Sequence, residues 1–409
     1  MRPKILFILM SMVVLSPMAI DIYLSSVPVM AVELQVSARE IQSIITIFFF
    51  AMGLGQVIIG PLADRYGRKP FALLGLVVYI ISSIICSLAV DLWLIQISRL
   101  LQGLAACSIS VIIFSVVRDT YSYQRSSKIY SYLNGVLSIV PALAPMFGSF
   151  LAGYFGWRST FVFMAMYAFI VLCLVYVYLP ETLQREDVGK TKVQALYNWR
   201  RYYSVLVNRY FIFYAVCCMS AMAGILSYVS YAPIWLIEHL QVSQSIFSVL
   251  FGLNAVVSIV CCFVAPVMIR KRGNVSVVKI ALQLMLGAAI LLLCSEWVLN
   301  KYESAGVIAA LGFMLPISLL SAGLSLLLGP ATSMALSQFG DRAATASSLL
   351  GFVQMVGASI IVVFMQQSGL QAPLAVSLVL LSLIVPLLAM INMQSFSAWH
   401  KEKAVTKDA

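Results

Sequence analysis

The chain has 409 residues, of which 62% are hydrophobic and only 10% charged, against about 25% charged in a soluble globular protein. That much apolar surface cannot be hidden in a water-soluble fold, and continuous apolar runs of twenty or more residues exclude a β-barrel of short alternating strands. The formal net charge of +11 raises the question of a nucleic-acid partner, which the placement of the charges answers below.

Taken in order, the chain opens with Arg2 and Lys4 ahead of an apolar run, as in a secretory signal. The run, 5–29, is too long for a signal core and contains Asp21, so it is expected to remain as a first spanning helix. Eleven further runs follow, at 41–62, 71–90, 93–117, 129–153, 159–179, 210–237, 246–269, 275–294, 305–337, 344–367 and 372–393. Each is long enough to cross a bilayer as a helix; the tenth is long enough to tilt or to contain an interfacial turn. The longest polar segment, 180–209, divides the chain into six runs (1–179) and six runs (210–394), with a short polar tail at 395–409. The expected fold is all-α and polytopic, with twelve transmembrane helices in two six-helix halves.

With the N-terminus placed in the cytoplasm, twenty-two of the 26 lysines and arginines fall in cytoplasmic segments and only Arg39, Arg158 and Lys301 on the other side, with Arg99 inside a span. This bias predicts both termini inside. It also accounts for the basic charge, so no nucleic-acid partner is expected. The eight cysteines all lie in apolar runs and form no C-x-x-C pair, as small buried apolar residues do. With only His239 and His400 a metal cluster is not expected. No phosphate-binding G-x-x-x-x-G-K-[ST] loop is present, which argues against ATP hydrolysis. Neither an enzyme nor a cofactor is expected.

Of the fifteen acids only Asp21 sits well inside a run. It lies eight residues before Val29, about 12 Å below the outer end at 1.5 Å per residue. A helix-end carboxylate that snorkels to the interface cannot cover that distance, so a functional role is favoured. Arg99 lies at a compatible depth in the fourth run, either as a structural arginine bonded to carbonyls or as a partner in coupling. A proton site needs an acid whose affinity changes with its surroundings: desolvation favours the neutral form, a nearby cation the ionised one. The fifth run carries Gly135, Pro141, Pro145, Gly148 and Gly153, a set that suggests a bent, closely packed element. Pro233, and Gly329 with Pro330, are further candidate bends. Tyr23, Asn134, Tyr228, Tyr231, Asn254, Gln283 and Gln354 are candidates to line a cavity, or else interhelical hydrogen bonds. A mostly apolar, aromatic cavity suits lipophilic substrates.

Between the second and third runs stands the loop 60–70, Gly-Pro-Leu-Ala-Asp-Arg-Tyr-Gly-Arg-Lys-Pro. Its cations fit a plain cytoplasmic turn, but the spacing of Gly60, Asp64, Arg65, Gly67 and Arg68 resembles the signature loop of the major facilitator superfamily. Arg270-Lys271-Arg272-Gly273 is a worn copy between the eighth and ninth runs. Arg99-Leu-Leu-Gln102-Gly103 resembles that family's helix 4 motif. The stretch from Gly135 to Gly153 resembles its antiporter motif, though without the paired glycines of the common form. Asp21-Ile-Tyr23-Leu with Pro28, and Gly156-Trp157-Arg158, resemble the Bcr/CflA group of bacterial drug:proton antiporters. The resemblance implies proton-coupled efflux of small amphipathic compounds across the bacterial cytoplasmic membrane by alternating access, by a protein functional as a monomer in the lipid bilayer. A dedicated exporter of an endogenous metabolite such as a siderophore, a proton-coupled importer and a non-transporting membrane sensor are the alternatives. Asp21 would then carry the proton and Arg99 tune it. Asp64 and Arg68, with Asp119 and with Asp341 before the eleventh run, would form a latch on the cytoplasmic gate.

Overall fold

The computed structural model describes residues 3–121, 123–182, 199–302, 307–339 and 342–393. Within them every regular element is helical: α1 (Pro3–Asp21), α2 (Val27–Glu33), α3 (Ala38–Tyr66), α4 (Arg68–Leu88), α5 (Leu92–Thr120), α6 (Tyr123–Phe155), α7 (Arg158–Tyr178), α8 (Trp199–Leu206), α9 (Arg209–Pro233), α10 (Gln244–Arg272), α11 (Asn274–Tyr302), α12 (Val307–Leu336), α13 (Ala343–Gln367) and α14 (Ala372–Asn392). Among the described residues twelve spans are long and apolar enough to cross a membrane. An even number returns the chain to the side on which it began. Pro3 and Met393 therefore mark one face, called here the terminal face, and the opposite one is the far face.

The polar residues between spans set the helix starts. Ser37 and Glu40 form a capping box at α3, with the Ser37 amide donating to Glu40 Oε2 at 2.8 Å and the Glu40 amide to Ser37 Oγ at 3.3 Å. Asp91 Oδ1 accepts from the Leu94 amide at 2.7 Å, and Asn208 Oδ1 from those of Tyr210 and Phe211. These contacts satisfy donors that the first turn leaves unpaired. Single glycines join α3 to α4 and α10 to α11: Gly67 at φ +109° and Gly273 at φ +77°. The copied basic loop thus has the same helix–glycine–helix geometry as the original.

Two spans depart from the expected continuous helices. The first is broken. α1 ends at Asp21, a short 3₁₀ turn covers Leu24–Ser26, and α2 continues to Glu33. Pro28 has no amide to donate to the turn before it, and the Ser26 amide bonds to Tyr23 O at 2.8 Å, three residues back. The seventh span changes winding after Pro233: Ile234–His239 is a π-helix in which the Leu240 amide reaches Trp235 O at 3.0 Å. The tenth span, in contrast, runs as helix throughout Val307–Leu336 with Pro316 and Pro330 inside it and no interfacial turn. Most of the segment 180–209, Asp341 and the tail lie outside the described residues. The described part of the segment includes α8, which packs on α9 and α13.

α1, α3, α4, α5, α6 and α7 pack among themselves, and α9 to α14 do likewise. Two seams join the groups: α3 against α13, and α6 against α10. The first runs from Thr46 and Gln366, whose side chains bond at 3.2 Å, to Gly60 and Ser348. The second is tight around Pro145, whose carbonyl accepts from Ser248 Oγ at 3.1 Å. The 3₁₀ turn of the first span also touches α9 and α10.

Candidate functional site

The break in the first span places Asp21 near the middle of the Lys4–Glu33 span, at the end of α1. Its side chain is only 5% exposed. Among the described residues it has no hydrogen-bond or ion-pair partner. α6 approaches the break so closely that a Cβ on Gly148 would overlap the Ile22 carbonyl oxygen. Gly148 is therefore what allows this packing. Across the seam, Tyr228 of α9 lies within electrostatic range of Asp21 and beside Asn254 of α10. Its ring stacks on Phe251 at 5.4 Å. Ser25 Oγ and Ser26 Oγ are buried without a protein partner, and Tyr228 Oη and Asn254 Oδ1, buried beside each other, meet no well-aligned partner beyond their own loose contact. Most buried polar atoms in proteins are paired. A lone buried carboxyl within electrostatic range of Tyr228, beside a turn that touches both sets of helices, is suited to an exchangeable proton.

Arg99 does not pair with Asp21. It is fully buried inside the first group of helices. Its Nε donates to Ile44 O at 3.3 Å, Nη2 to Tyr23 Oη at 3.1 Å and Nη1 to Gln102 Oε1. The guanidinium also lies over the Phe48 ring at 4.4 Å and the Tyr23 ring at 5.0 Å. Gln102 continues the network to Ser83 Oγ at 2.8 Å. Tyr23, expected to line a cavity, is instead wholly buried between Arg99 and Phe161, on which it stacks at 5.3 Å. Two residues along a helix point to opposite sides, so Tyr23 lies away from Asp21. The link from Arg99 to the acid is indirect, two residues along the chain.

At the terminal face the charged loop forms a compact cluster. Arg68 is buried and pairs with Asp64 one helical turn earlier, and its Nε lies 3.2 Å from Asp119 Oδ2. Arg118 stands 3.6 Å from the same carboxylate. Arg65 lies over its neighbour's ring, Tyr66, at 5.0 Å. Glu181 completes the cluster: its carboxylate accepts from the amides of Arg68 and Lys69 at 3.0 and 3.1 Å, capping α4. Sequence reasoning missed it, since 113 residues separate it from Arg68 and nothing local marks it. Among the described residues no side chain caps α13 at Arg342. Gly60 meets that helix at Ser348. Glu33, also missed, accepts from Trp157 Nε1 at 2.8 Å and Arg158 Nη1 at 2.7 Å, tying α2 to the start of α7.

The remaining candidates scatter. Tyr231 lines a separate pocket at the far face. Asn134 and Gln283 are exposed, and Gln354 is half-buried on α13. Pro145 lies in the α6–α10 seam, Pro141 is half-buried, and a Cβ on Gly135 would meet open space. Among the described residues no three His, Cys, Asp or Glu side chains are grouped as metal ligands are.

The chain is 32% identical over 350 residues to multidrug resistance protein MdtL of Escherichia coli O139:H28 (strain E24377A / ETEC), covering 86% of this chain and 85% of that protein. The same figures hold for MdtL of Shigella boydii serotype 18 (strain CDC 3083-94 / BS512). Among solved structures it resembles a D-xylose–proton symporter, with a TM-score of 0.72, 15% identity and coverage of 94% and 96%. It also resembles a POT family transporter in complex with a thioalcohol conjugated peptide, with a TM-score of 0.75, 14% identity and coverage of 95% and 94%. At such identities these two speak for the fold alone. Residues 9–362 match the Major Facilitator Superfamily, and the chain belongs to that family of transporters.

Proposed function

We propose that this transporter exports small amphipathic compounds, drugs among them, from the bacterial cytoplasm in exchange for protons. Asp21 carries the reading: a buried, unpaired carboxyl at a break in a spanning helix, within electrostatic range of Tyr228 across the seam. An ionised side chain inside a membrane costs several kcal/mol, so its proton is held or released according to which face admits water. Substrate entering between the two groups of helices competes with that proton through charge and shape. The name of the MdtL relatives supports the choice of cargo. Helices 1–179 and 210–394 rock as two units of a monomer, with both termini in the cytoplasm of the inner membrane as the basic-residue bias indicates. Arg99 stabilises the first group of helices, bracing Tyr23 beside the break without taking part in proton transfer. Asp64, with Arg68 and Asp119, latches the terminal face by offering its carboxylate to the start of α13.

The test is drug-driven proton release in everted membrane vesicles carrying an acid interior. Wild-type protein is expected to dissipate the gradient when a transported compound is added, and Asp21→Asn to lose this response at equal membrane abundance. Undiminished gradient-driven transport by Asp21→Asn overturns the assignment.

A further inference from the structure

α1 and α7 are neighbours in the first group of helices. Deep in the membrane they are joined, where Tyr167 Oη donates to Ser11 O at 3.0 Å. Toward the terminal face a groove of about 320 Å³ opens between them, lined by Lys4, Phe7, Ile8, Leu174 and Tyr178. Ile8 is buried at its floor, and Phe7 and Tyr178 are exposed as its walls. α1 starts at the terminal face and α7 ends there, so Lys4 and Tyr178 form the outer rim. Phe7, Ile8 and Leu174 lie about 5 Å deeper at 1.5 Å per residue. The groove is thus apolar within and charged at its mouth.

The charge is held in place. Lys4 Nζ lies over the Tyr178 ring at 5.4 Å. Among the described residues no aspartate or glutamate forms an ion pair with Lys4 or lines the groove. The same turn of α7 carries a second ammonium: Lys69 Nζ donates to Tyr176 O at 2.8 Å and lies over the Tyr176 ring at 5.7 Å. The carbonyl end of a helix favours cations there. The next acid along the chain, Glu181, is turned to the start of α4, where it accepts from the amides of Arg68 and Lys69. Tyr176 and Tyr178 are exposed, as aromatic residues at a membrane interface are.

We propose that this groove holds one anionic phospholipid of the leaflet at the terminal face. Its phosphate sits at Lys4 within the field of Lys69, and one acyl chain lies against Phe7, Ile8 and Leu174. Basic pockets between spanning helices take anionic headgroups. A zwitterionic lipid brings its own cation to the same rim and gains less there. The site is separate from the Asp21 cluster and does not depend on what the transporter carries.

The experiment is native mass spectrometry of the full-length protein purified in a neutral detergent, titrated with phosphatidylglycerol or with phosphatidylcholine of the same chains. One phosphatidylglycerol is expected to be retained at concentrations where phosphatidylcholine is not. Lys4→Gln and Lys69→Gln should each weaken retention about fivefold, the value of one cation near an anionic surface. Lys4→Arg should preserve it. Phe7→Ala removes an exposed wall, and Leu174→Trp fills the groove while both lysines stay; each should weaken retention at least as much. Lys271→Gln, elsewhere on the terminal face, should leave it unchanged. Equal retention of the two lipids overturns the proposal. So does retention that survives Lys4→Gln combined with Lys69→Gln. Retention that survives both Phe7→Ala and Leu174→Trp, or that falls as far in Lys271→Gln as in Lys4→Gln, also overturns it, because surface charge without a groove would then suffice.

Discussion

Asp21 and Arg99 are both buried and both ionisable, yet their surroundings separate them. Arg99 has acceptors on three sides and an aromatic ring beneath it. Removing one partner leaves a buried donor unpaired, which costs about 1–3 kcal/mol. Tyr23→Phe deletes only the hydroxyl that Arg99 Nη2 reaches, so it should lower unfolding stability by about that amount while proton-driven transport persists. Asp21→Asn should do the opposite. It removes a side chain that no described residue holds, so the melting temperature should not fall, but transport coupled to the gradient should stop. Measuring both quantities on both variants separates a scaffold network from a working carboxyl. If Tyr23→Phe abolished coupling at unchanged stability, Arg99 would have to be assigned a direct part in proton transfer.

At the scale of elements, the α3–α4 hinge depends on a long-range partner. Gly67 has φ +109°, and a Cβ there would sit 2.6 Å from Glu181 Oε2. Gly67→Ala therefore meets both backbone strain and a collision with the carboxylate that caps α4. Backbone strain of this kind costs on the order of 1–3 kcal/mol. Glu181→Gln keeps the shape but removes the charge from the helix start, and should cost less, about 0.3–1 kcal/mol. Chemical or thermal denaturation of the two variants checks the order; equal effects would mean that the carboxylate, not the glycine, governs the hinge. This pairing also shows where reading the chain stops. Twelve apolar runs were legible because a bilayer demands length and apolarity in each one. Asp21 was legible because an acid in such a run is rare. The break beside it was not, since Ile22, Tyr23 and Leu24 are apolar enough to continue a helix and only Pro28 hints otherwise. Glu181 looked like the start of a polar connection, and only the return of α7 to α4 reveals its role. Tyr23 and Tyr228 read alike as aromatic residues in spanning helices, yet one is locked inside the first group and the other faces the seam.

For the whole molecule, the proposed mechanism requires the two groups of helices to separate at one face while they close at the other. The α3–α13 seam is the place to test it, because among the described residues one side-chain hydrogen bond crosses its far end, Gln366 Nε2 to Thr46 Oγ1 at 3.2 Å. Both residues are buried there, so a reagent reaches them only when the seam parts. Replacing the eight native cysteines and introducing Thr46→Cys with Gln366→Cys creates a pair that a short bifunctional methanethiosulfonate can bridge. Labelling should be slow at rest and faster while compound and proton gradient are both supplied, since turnover exposes the pair. Once bridged, the far face cannot open, and transport should fall to the level of empty vesicles and return on reduction. Each single cysteine should leave transport near its starting rate. Full transport by the bridged protein would mean that this seam stays closed throughout the cycle, and that the opening lies instead along α6 and α10, where a Cβ on Gly252 would come within 3.0 Å of the Ala142 carbonyl oxygen.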